Sequence, residues 1–540
     1  MASHRPSPPW AVRCAWVIGV ILALRVVGLA LDHTDLYVDE AQYWLWGQDL
    51  AFGYYSKPPM IGWLLRAVTD LAGSDGAFWV RLPAIALHAI TAALLAAITA
   101  RHIAPRAAPW VAAAYLTLPL VTVGSYMIST DSVMFPFLAL ALLAWLRLAD
   151  EGGRRWALIA GLALGGGVMS KYAAIYYLIL LLPALVFIPA LRVPLRRAAL
   201  ALLGFALAIA PNVAWNIANG LTTLRHTMDN ADWVNDPAAK AALNFAGLGE
   251  FAGAQFVVFG PAFLATLLWL ALRPALSLPS RQRSDPSSGP NSAPNSRQSP
   301  PSAPHLTLPL PLRGLVLWLS LPIIALVCVQ ALLNQAYANW AAAAYVAAPL
   351  AVVPWLLLRA RWLLIASLVL HGSFAVVVPV AAHFAPSLRL TADAPLLMAR
   401  WLGREAMSDA ITTRAAELPV TAIIADDRDV LADLFYRARG DFPAQDGMTA
   451  PSTPAISVSA SSLPIWAEPE RGRAPNHYVQ SFPYPGATDT RVLLITRSKR
   501  APEGCAATSA GVIDPVEGAY AKRTMRLFVV DGSCWDGIAR

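Results

Sequence analysis

Residues 13–60 read RCAWVIGVILALRVVGLALDHTDLYVDEAQYWLWGQDLAFGYYSKPPM. The first part is an apolar run of the roughly 20 residues that a helix needs to cross a bilayer. The second part gathers Asp39, Glu40, Asp49 and Lys57 among Tyr43, Trp44, Trp46, Tyr54 and Tyr55. A spanning helix followed at once by an acidic, aromatic loop points to a membrane protein that carries polar machinery at one face. The rest of the chain decides between that reading and a single anchored segment.

Composition favours many spans. The 540 residues are 57% hydrophobic and 14% charged, with a mean hydropathy of +0.51, whereas a soluble domain carries about 25% charged residues. Apolar runs recur near 79–100, 107–126, 132–149, 156–170, 172–191, 198–217, 250–272, 313–333, 341–358 and 362–383. With 13–31 these predict about eleven helices. The formal net charge of +8 does not indicate nucleic acid, because most arginines sit in short clusters between apolar runs and no basic helix or stacking module accompanies them.

Those arginines set the orientation. Arg5 and Arg13 precede the first run; Arg101 with Arg106, Arg154 with Arg155, Arg192 with Arg196 and Arg197, and Arg359 with Arg361 fall in every second connection. Positive charge stays in the cytoplasm. The segments 32–78, 127–131, the turn at Lys171, 218–249, 334–340 and the tail from 384 are then outside. The first run is too long for a signal-peptide core and contains Arg25, so it reads as an uncleaved helix.

The chain divides into a cytoplasmic stretch 1–12, a membrane core 13–273 with the outer loop 32–78, a linker 274–312, further helices over 313–383, and a tail 384–540. The linker is rich in Pro and Ser and is expected to be disordered and cytoplasmic. In the tail, TAIIAD, RVLLITRS and RLFVVDG read as strands, and RDVLADLFYRARG as a helix ending at Gly440. The fold class is therefore an all-α polytopic membrane domain with a small C-terminal α/β domain. Cys14 and Cys328 lie in apolar runs as buried hydrophobes. Cys505 and Cys534 share the outer tail, where an oxidising compartment permits a disulfide worth about 3–4 kcal/mol on the loop-entropy model.

The unusual polar residues gather on the outer side. Arg81 starts the second run in WVRLPA, Asp131 the fourth in MISTDSVMF, and Lys171 sits in VMSKYAAIYY. Arg225 and His226 lie in TLRHTMDN, and Asn339 and Trp340 in NQAYANWAAAAY. Ionisable groups at membrane depth cost about 2.5–3.5 kcal/mol each on insertion scales and usually mark a site. Carboxylates, lysines and arginines together at an outer surface suit transfer from a lipid-phosphate donor. Cations hold the phosphate leaving group, a carboxylate takes the proton of an acceptor hydroxyl, and aromatic rings stack on sugars. No Walker or dinucleotide glycine pattern occurs, in keeping with a donor that needs no nucleotide.

Each residue alone has a plainer reading. Asp39 and Glu40 suit the first turn of a helix, and Lys57 can snorkel to headgroups. Arg81 can be a topology residue, Asp131 an N-cap after Ser129 and Thr130, and Lys171 an interfacial lysine. His226 can be a polar loop residue, and the aromatics an interfacial belt. Convergence on one face separates the readings.

At VDEAQYWLWG, YYSKPPMIGWL, RLPA, TDSVMFPFLAL and GLALGGGVMSKYAA the chain resembles the C-type polytopic glycosyltransferases that use polyprenyl-phosphate sugars. Within them it is similar to bacterial relatives of the protein O-mannosyltransferases and lipid A aminoarabinose transferases. The wording DEAQYWLW and YYSKPPM is most similar to rhizobial-type transferases that place galacturonic acid on lipopolysaccharide. The resemblance covers roughly residues 10–383 and implies a bacterial inner-membrane enzyme with a periplasmic site and tail. It makes Asp39 the catalytic base and Lys57 the donor-phosphate lysine. Tyr54 lines the same pocket, and Asp131 is a second carboxylate near the acceptor. Arg81, Lys171 and Arg225 are further phosphate-binding candidates, and Glu40, Tyr55, His226, Asn339 and Trp340 candidate lining residues. The aminoarabinose transferases carry a phosphate-binding arginine just after the histidine of the 218–249 loop; this chain has Asp229 and Asn230 there, with Arg225 before the histidine. A divalent metal, used by some relatives, stays open.

The expected activity is inverting transfer of a sugar from polyprenyl phosphate to lipid A, lipopolysaccharide core or a related envelope glycan. A secondary transporter would instead need charge at the midplane and repeated broken helices, and a non-catalytic envelope assembly protein would be indifferent to Asp39. Because a carboxylate is a weak base for a hydroxyl, its action has to coincide with departure of the phosphate. On this reading Glu40→Gln should be milder than substitution of Asp39 or Lys57.

Overall fold

The computed structural model describes residues 9–230, 243–272, 310–391, 394–438 and 463–536. Every predicted apolar run is helical. Six helices are long and apolar enough to cross a membrane, beginning with Pro9–Ala30 and ending with Arg361–His383. The count rises to eight if each of two bent pairs is one span. The bends have local causes. Pro105–Thr117 and Pro119–Tyr126 meet at 59°, where Leu118 is extended (φ −51°, ψ 137°) because the following proline disfavours helical backbone. Phe245–Phe259 and Pro261–Leu272 meet at 108° across Gly260, at φ +90°, where a Cβ would also run into the His371 ring. The three remaining runs are the shorter helices Arg154–Ser170, Tyr172–Phe187 and Ala344–Arg359.

Arg154–Ser170 shows how the core positions polar groups. A Cβ at Gly161 or Gly165 would strike Ala201 or Ala208 of Leu195–Ala218, and one at Gly166 would strike Phe137 of Thr130–Glu151. These glycines allow three helices to pack closely, which brings the C-terminal end of Arg154–Ser170, with Lys171, against the start of Thr130–Glu151.

The outer loop is not irregular throughout. It holds Val38–Gln48 and Met60–Ala72, which pack on each other. In the tail, β1 (Ala422–Ala425), β2 (Ile465–Ala467), β3 (Arg491–Thr496), β4 (Ala507–Ile513) and β5 (Met525–Asp531) form one sheet in the order β2-β1-β3-β5-β4. β1 pairs parallel with β2 and β3, while β5 runs antiparallel to β3 and β4. β2 and β4 escaped the sequence reading. Three-residue β2 is too short to show a pattern, and β4 carries Ser509, Gly511 and a register shift.

One face of the sheet, with Ile423, Leu493, Ile495 and Leu527, packs on Val430, Leu434 and Phe435 of Arg428–Arg437. The same core continues into Val38, Trp44, Trp46, Ile61 and Leu65 of the outer loop. The tail therefore shares its core with the loop. Cys505 and Cys534 are joined in a disulfide, their Cα atoms 5.6 Å apart.

Three boundaries move. The first helix begins at Pro9, so Arg13 lies inside it. The helix after the linker begins at Leu310, whereas the rest of the linker, 274–309, lies outside the described residues. The tail helix ends at Arg437, and Gly440 also lies outside the described residues.

Candidate active site

At the start of Val38–Gln48 the Tyr37 amide donates to Glu40 Oε2 at 2.9 Å. Glu40 is fully buried and also accepts the Ile128 amide at 3.0 Å, tying the helix to the 127–131 segment. Arg81 faces it, with Nη2 to Glu40 Oε2 at 2.8 Å and Nη1 to Asp32 Oδ2 at 3.0 Å. Arg81 further donates to the Thr34 hydroxyl at 2.9 Å and the Asp35 carbonyl at 2.7 Å, and Nε is held by Glu40 at 3.1 Å. All five guanidinium N–H groups are thus engaged. Arg81 has none left for a phosphate, and Glu40 has no open surface toward a substrate. Both are corrected from site residues to the buried anchor of the loop.

Asp39 points about 100° away around the helix. Its Oδ1 lies 2.5 Å from Nη2 of Arg428, both side chains being roughly half exposed, and Oδ2 has no partner among the described residues. Arg428 also donates to Gln42 Oε1 at 2.8 and 3.1 Å. A pair this exposed is worth about 0–1 kcal/mol, so its consequence is orientation rather than stability. Arg428 is the first residue of Arg428–Arg437, behind the N-cap Asp427. The sequence reading missed it because it lies in the tail. One signal was available: a cation at a helix N-terminus opposes the macrodipole.

Asp131 is not the cap of Thr130–Glu151; Ser129 is. Asp131 receives Lys171 Nζ at 2.7 and 2.8 Å and Asn339 Nδ2 at 3.0 Å, so both its oxygens are engaged. Trp340 does not join them: it lies edge-on to Tyr337 and packs on the membrane core.

Lys57 is half-buried; its carbonyl accepts the Tyr54 amide at 3.1 Å, while its ammonium has no hydrogen-bond or ion-pair partner among the described residues. Burial, the nearby Lys171 ammonium and Arg428 push it below the usual lysine value, against the pull of Asp39 and Asp131. An unpaired ammonium in such a place suits an anion that the protein does not itself supply.

Tyr54 is corrected from a lining residue to a brace. Its ring stacks on Trp46 at 4.9 Å and its hydroxyl donates to the Trp46 carbonyl at 2.6 Å, while its own carbonyl accepts Thr223 Oγ1 at 2.7 Å. Tyr55 is buried at the edge of a cavity. With His226, Asp229, Arg473, Ala474 and Pro475 it lines a cavity of about 320 Å³. Its hydroxyl donates to the Ala474 carbonyl at 2.9 Å, and its ring lies 4.9 Å from that of His226. Burial and Lys57 push His226 down to about 4. Arg225 stays exposed and makes no polar contact with the other candidates among the described residues.

No three His, Cys, Asp or Glu side chains come together as metal ligands among the described residues, and Asp39 and Asp131 are each occupied by cations. This donor set does not fit a carboxylate-held divalent ion. It fits an anionic leaving group beside a carboxylate with one open oxygen.

A profile of dolichyl-phosphate-mannose-protein mannosyltransferases matches residues 56–215. The fold is similar to that of ArnT from Cupriavidus metallidurans. The apo form gives a TM-score of 0.57 at 12% identity, covering 97% of this chain and 98% of that one. The form bound to undecaprenyl phosphate gives 0.57 at 13% identity, over 98% and 100%. In sequence the chain is 34% identical over 513 residues to the lipid A galacturonosyltransferase RgtD of Rhizobium johnstonii, spanning 94% of this chain and 96% of that protein. With that identity along nearly the whole of both chains, and with this fold, the protein belongs to the family of membrane glycosyltransferases that includes this lipid A galacturonosyltransferase.

Proposed function

We propose that the protein transfers a galacturonosyl group from polyprenyl phosphate to lipid A, or to a closely related envelope glycan, at the periplasmic face of the bacterial inner membrane. The observation that carries the reading is Lys57: a half-buried ammonium with no side-chain partner among the described residues, close enough to Lys171 and Arg428 to feel their charge. Lys171 and Arg428 are paired with Asp131 and Asp39, so the cluster carries one uncompensated positive charge, that of Lys57, which an anion would balance. A lipid phosphate supplies that anion and gains negative charge as the glycosidic bond breaks, which is when the cations contribute most.

Asp39 takes the acceptor proton on its open Oδ2 while Arg428 and Gln42 fix the other side of the carboxylate. The acceptor oxygen attacks the anomeric carbon from the face opposite the phosphate, so configuration inverts. The bond to the phosphate oxygen breaks and polyprenyl phosphate leaves as an anion on Lys57. Asp131, with both oxygens engaged, positions Lys171 and Asn339 rather than serving as base.

The orientation is supported by parity as well as by arginine placement. Asp131 pairs with Lys171, so the two helices between them form a full return, which requires short Arg154–Ser170 to cross. Thr223 bonds the outer loop, which asks the same of Tyr172–Phe187. Asn339 meets Asp131 while the tail meets Asp39, which asks the same of Ala344–Arg359. Eleven crossings satisfy every contact; with six or eight, the tail and outer loop would fall on opposite faces. Parity sets the amino terminus opposite the tail, and the arginine placement supports a cytoplasmic amino terminus with a periplasmic tail.

Purified full-length protein in lipid nanodiscs, given polyprenyl-phosphate galacturonose and lipid A, should form galacturonosylated lipid A detectable by mass. Absence of product, or near-normal product from a well-folded Asp39→Asn variant, would reject the reading. A periplasm-dependent reporter fused after Arg540 should be active, and one inserted at Ser288 silent.

A further inference from the structure

We propose that the cavity between the outer loop and the tail, bounded by Tyr55, His226, Asp229 and Arg473, is the subsite for the sugar being transferred, an anionic pyranose whose carboxylate is read by Arg473. The inference rests on the transferase reading above and adds what holds the sugar. A volume of about 320 Å³ lies at the lower end of ligand pockets, which run from about 300 to 1,000 Å³. It has room for one sugar ring. Tyr55 lies two residues before Lys57, so a sugar joined to a phosphate on Lys57 reaches this cavity directly.

The lining suits a charged sugar. Tyr55 is buried, its hydroxyl tied to the Ala474 carbonyl and its ring against that of His226, so it forms a fixed apolar wall of the cavity. His226, pushed down to about 4 by burial and by Lys57, is neutral at working pH and offers one donor and one acceptor to hydroxyls. Arg473 lies 2.6 Å from Asp229, its one polar partner among the described residues, with both side chains roughly half exposed. Among the described residues most of its N–H groups are unused, which suits a two-pronged contact with a carboxylate, while Asp229 steadies the guanidinium. The segment carrying Arg473 is restrained on its C-terminal side by Pro475, which confines Ala474 to extended backbone. Arg473 belongs to the tail, so that domain would contribute specificity as well as support.

The test separates sugar contacts from phosphate and acceptor contacts in the full-length protein in nanodiscs. For Arg473→Gln, the KM for polyprenyl-phosphate galacturonose should rise about 10- to 100-fold, the range of a lost charge-assisted contact. The inhibition constant of bare polyprenyl phosphate and the KM for lipid A should not move, and Arg473→Lys should recover part of the loss. Equal weakening of sugar donor and bare polyprenyl phosphate would overturn the proposal, since the effect would lie with the phosphate or the fold. A rise confined to the lipid A KM would also overturn it, assigning the cavity to the acceptor. Absence of any transfer by the unsubstituted protein would instead remove the transferase reading itself.

Discussion

Asp39 and Glu40 are consecutive residues on one short helix, and they end in opposite surroundings. Glu40 is 0% exposed and locked to Arg81 with two backbone amides besides. The Asp39 side chain is 47% exposed and holds Arg428 through one oxygen, leaving the other open. The same contrast separates Arg81, with every N–H engaged, from Lys57, whose ammonium has no partner among the described residues. Charge alone does not separate these residues; unused hydrogen-bonding capacity does, and it is the ground on which Asp39 and Lys57 are proposed for the site. The buried cluster fixes the loop, and the loop presents the groups with capacity to spare.

The contrast can be broken by substitution, starting where the effect should be largest. Asp39→Asn removes the open basic oxygen and should lower kcat by about 10²–10⁴, the usual worth of a positioned base, with the melting temperature in detergent nearly unchanged. Arg81→Met should do the reverse. It leaves Glu40 and Asp32 buried without a counter-charge and should destabilise the fold by about 3–5 kcal/mol, seen as a lower melting temperature and poor recovery on gel filtration. Glu40→Gln should follow Arg81→Met in kind, against the milder outcome expected from sequence. If Arg81→Met kept its stability and lost only donor affinity, the division between anchor and site would fail.

Lys57→Met should raise donor KM and lower the rate together, costing about 10- to 150-fold in kcat/KM for one lost charge-assisted contact of about 1.5–3 kcal/mol. Arg428→Lys keeps the charge but not the fork that spans Asp39 and Gln42. It should reduce kcat by about tenfold while leaving donor KM within about twofold; a change in KM alone would argue that Arg428 binds substrate instead. The smallest effect is in pH dependence. The Lys57 value is depressed, so its ammonium is lost as pH rises, sooner than for a free lysine near 10.4. Donor binding needs the charged form and should weaken over that alkaline interval, and Lys57→Arg should abolish the inflection. His226, at about 4, should contribute no inflection between about pH 5 and 8.

Much of this was legible in the chain. Every membrane helix follows from an apolar run, because lipid requires backbone groups to be satisfied within the segment. Pro119 and Pro261 announce the two bends, although the broken geometry makes the spans harder to count. Of the site, Asp39, Lys57 and the Asp131–Lys171 pair stand out as ionisable groups at the ends of spanning runs. Glu40, Arg81 and Tyr54 stand out for the same reason and turned out to be braces, since sequence gives the residue type and not which neighbours use up its donors and acceptors. Arg428 and Arg473 were passed over because they lie in a polar tail, where an arginine carries no signal of its own.

The sequence by itself determined a polytopic membrane domain of α-helices with an α/β tail, and a loop in which acids, lysine and aromatic residues meet. These are local properties, set by hydropathy period, proline and charge placement along the chain. Tertiary structure alone decided that Asp39 is oriented by a residue 389 positions away, that Glu40 and Arg81 neutralise each other, and that the Lys57 ammonium is left without a partner among the described residues. Those outcomes depend on which helix ends and which tail strands share one core. Sequence patterning shows that a surface must be buried; it does not show against what.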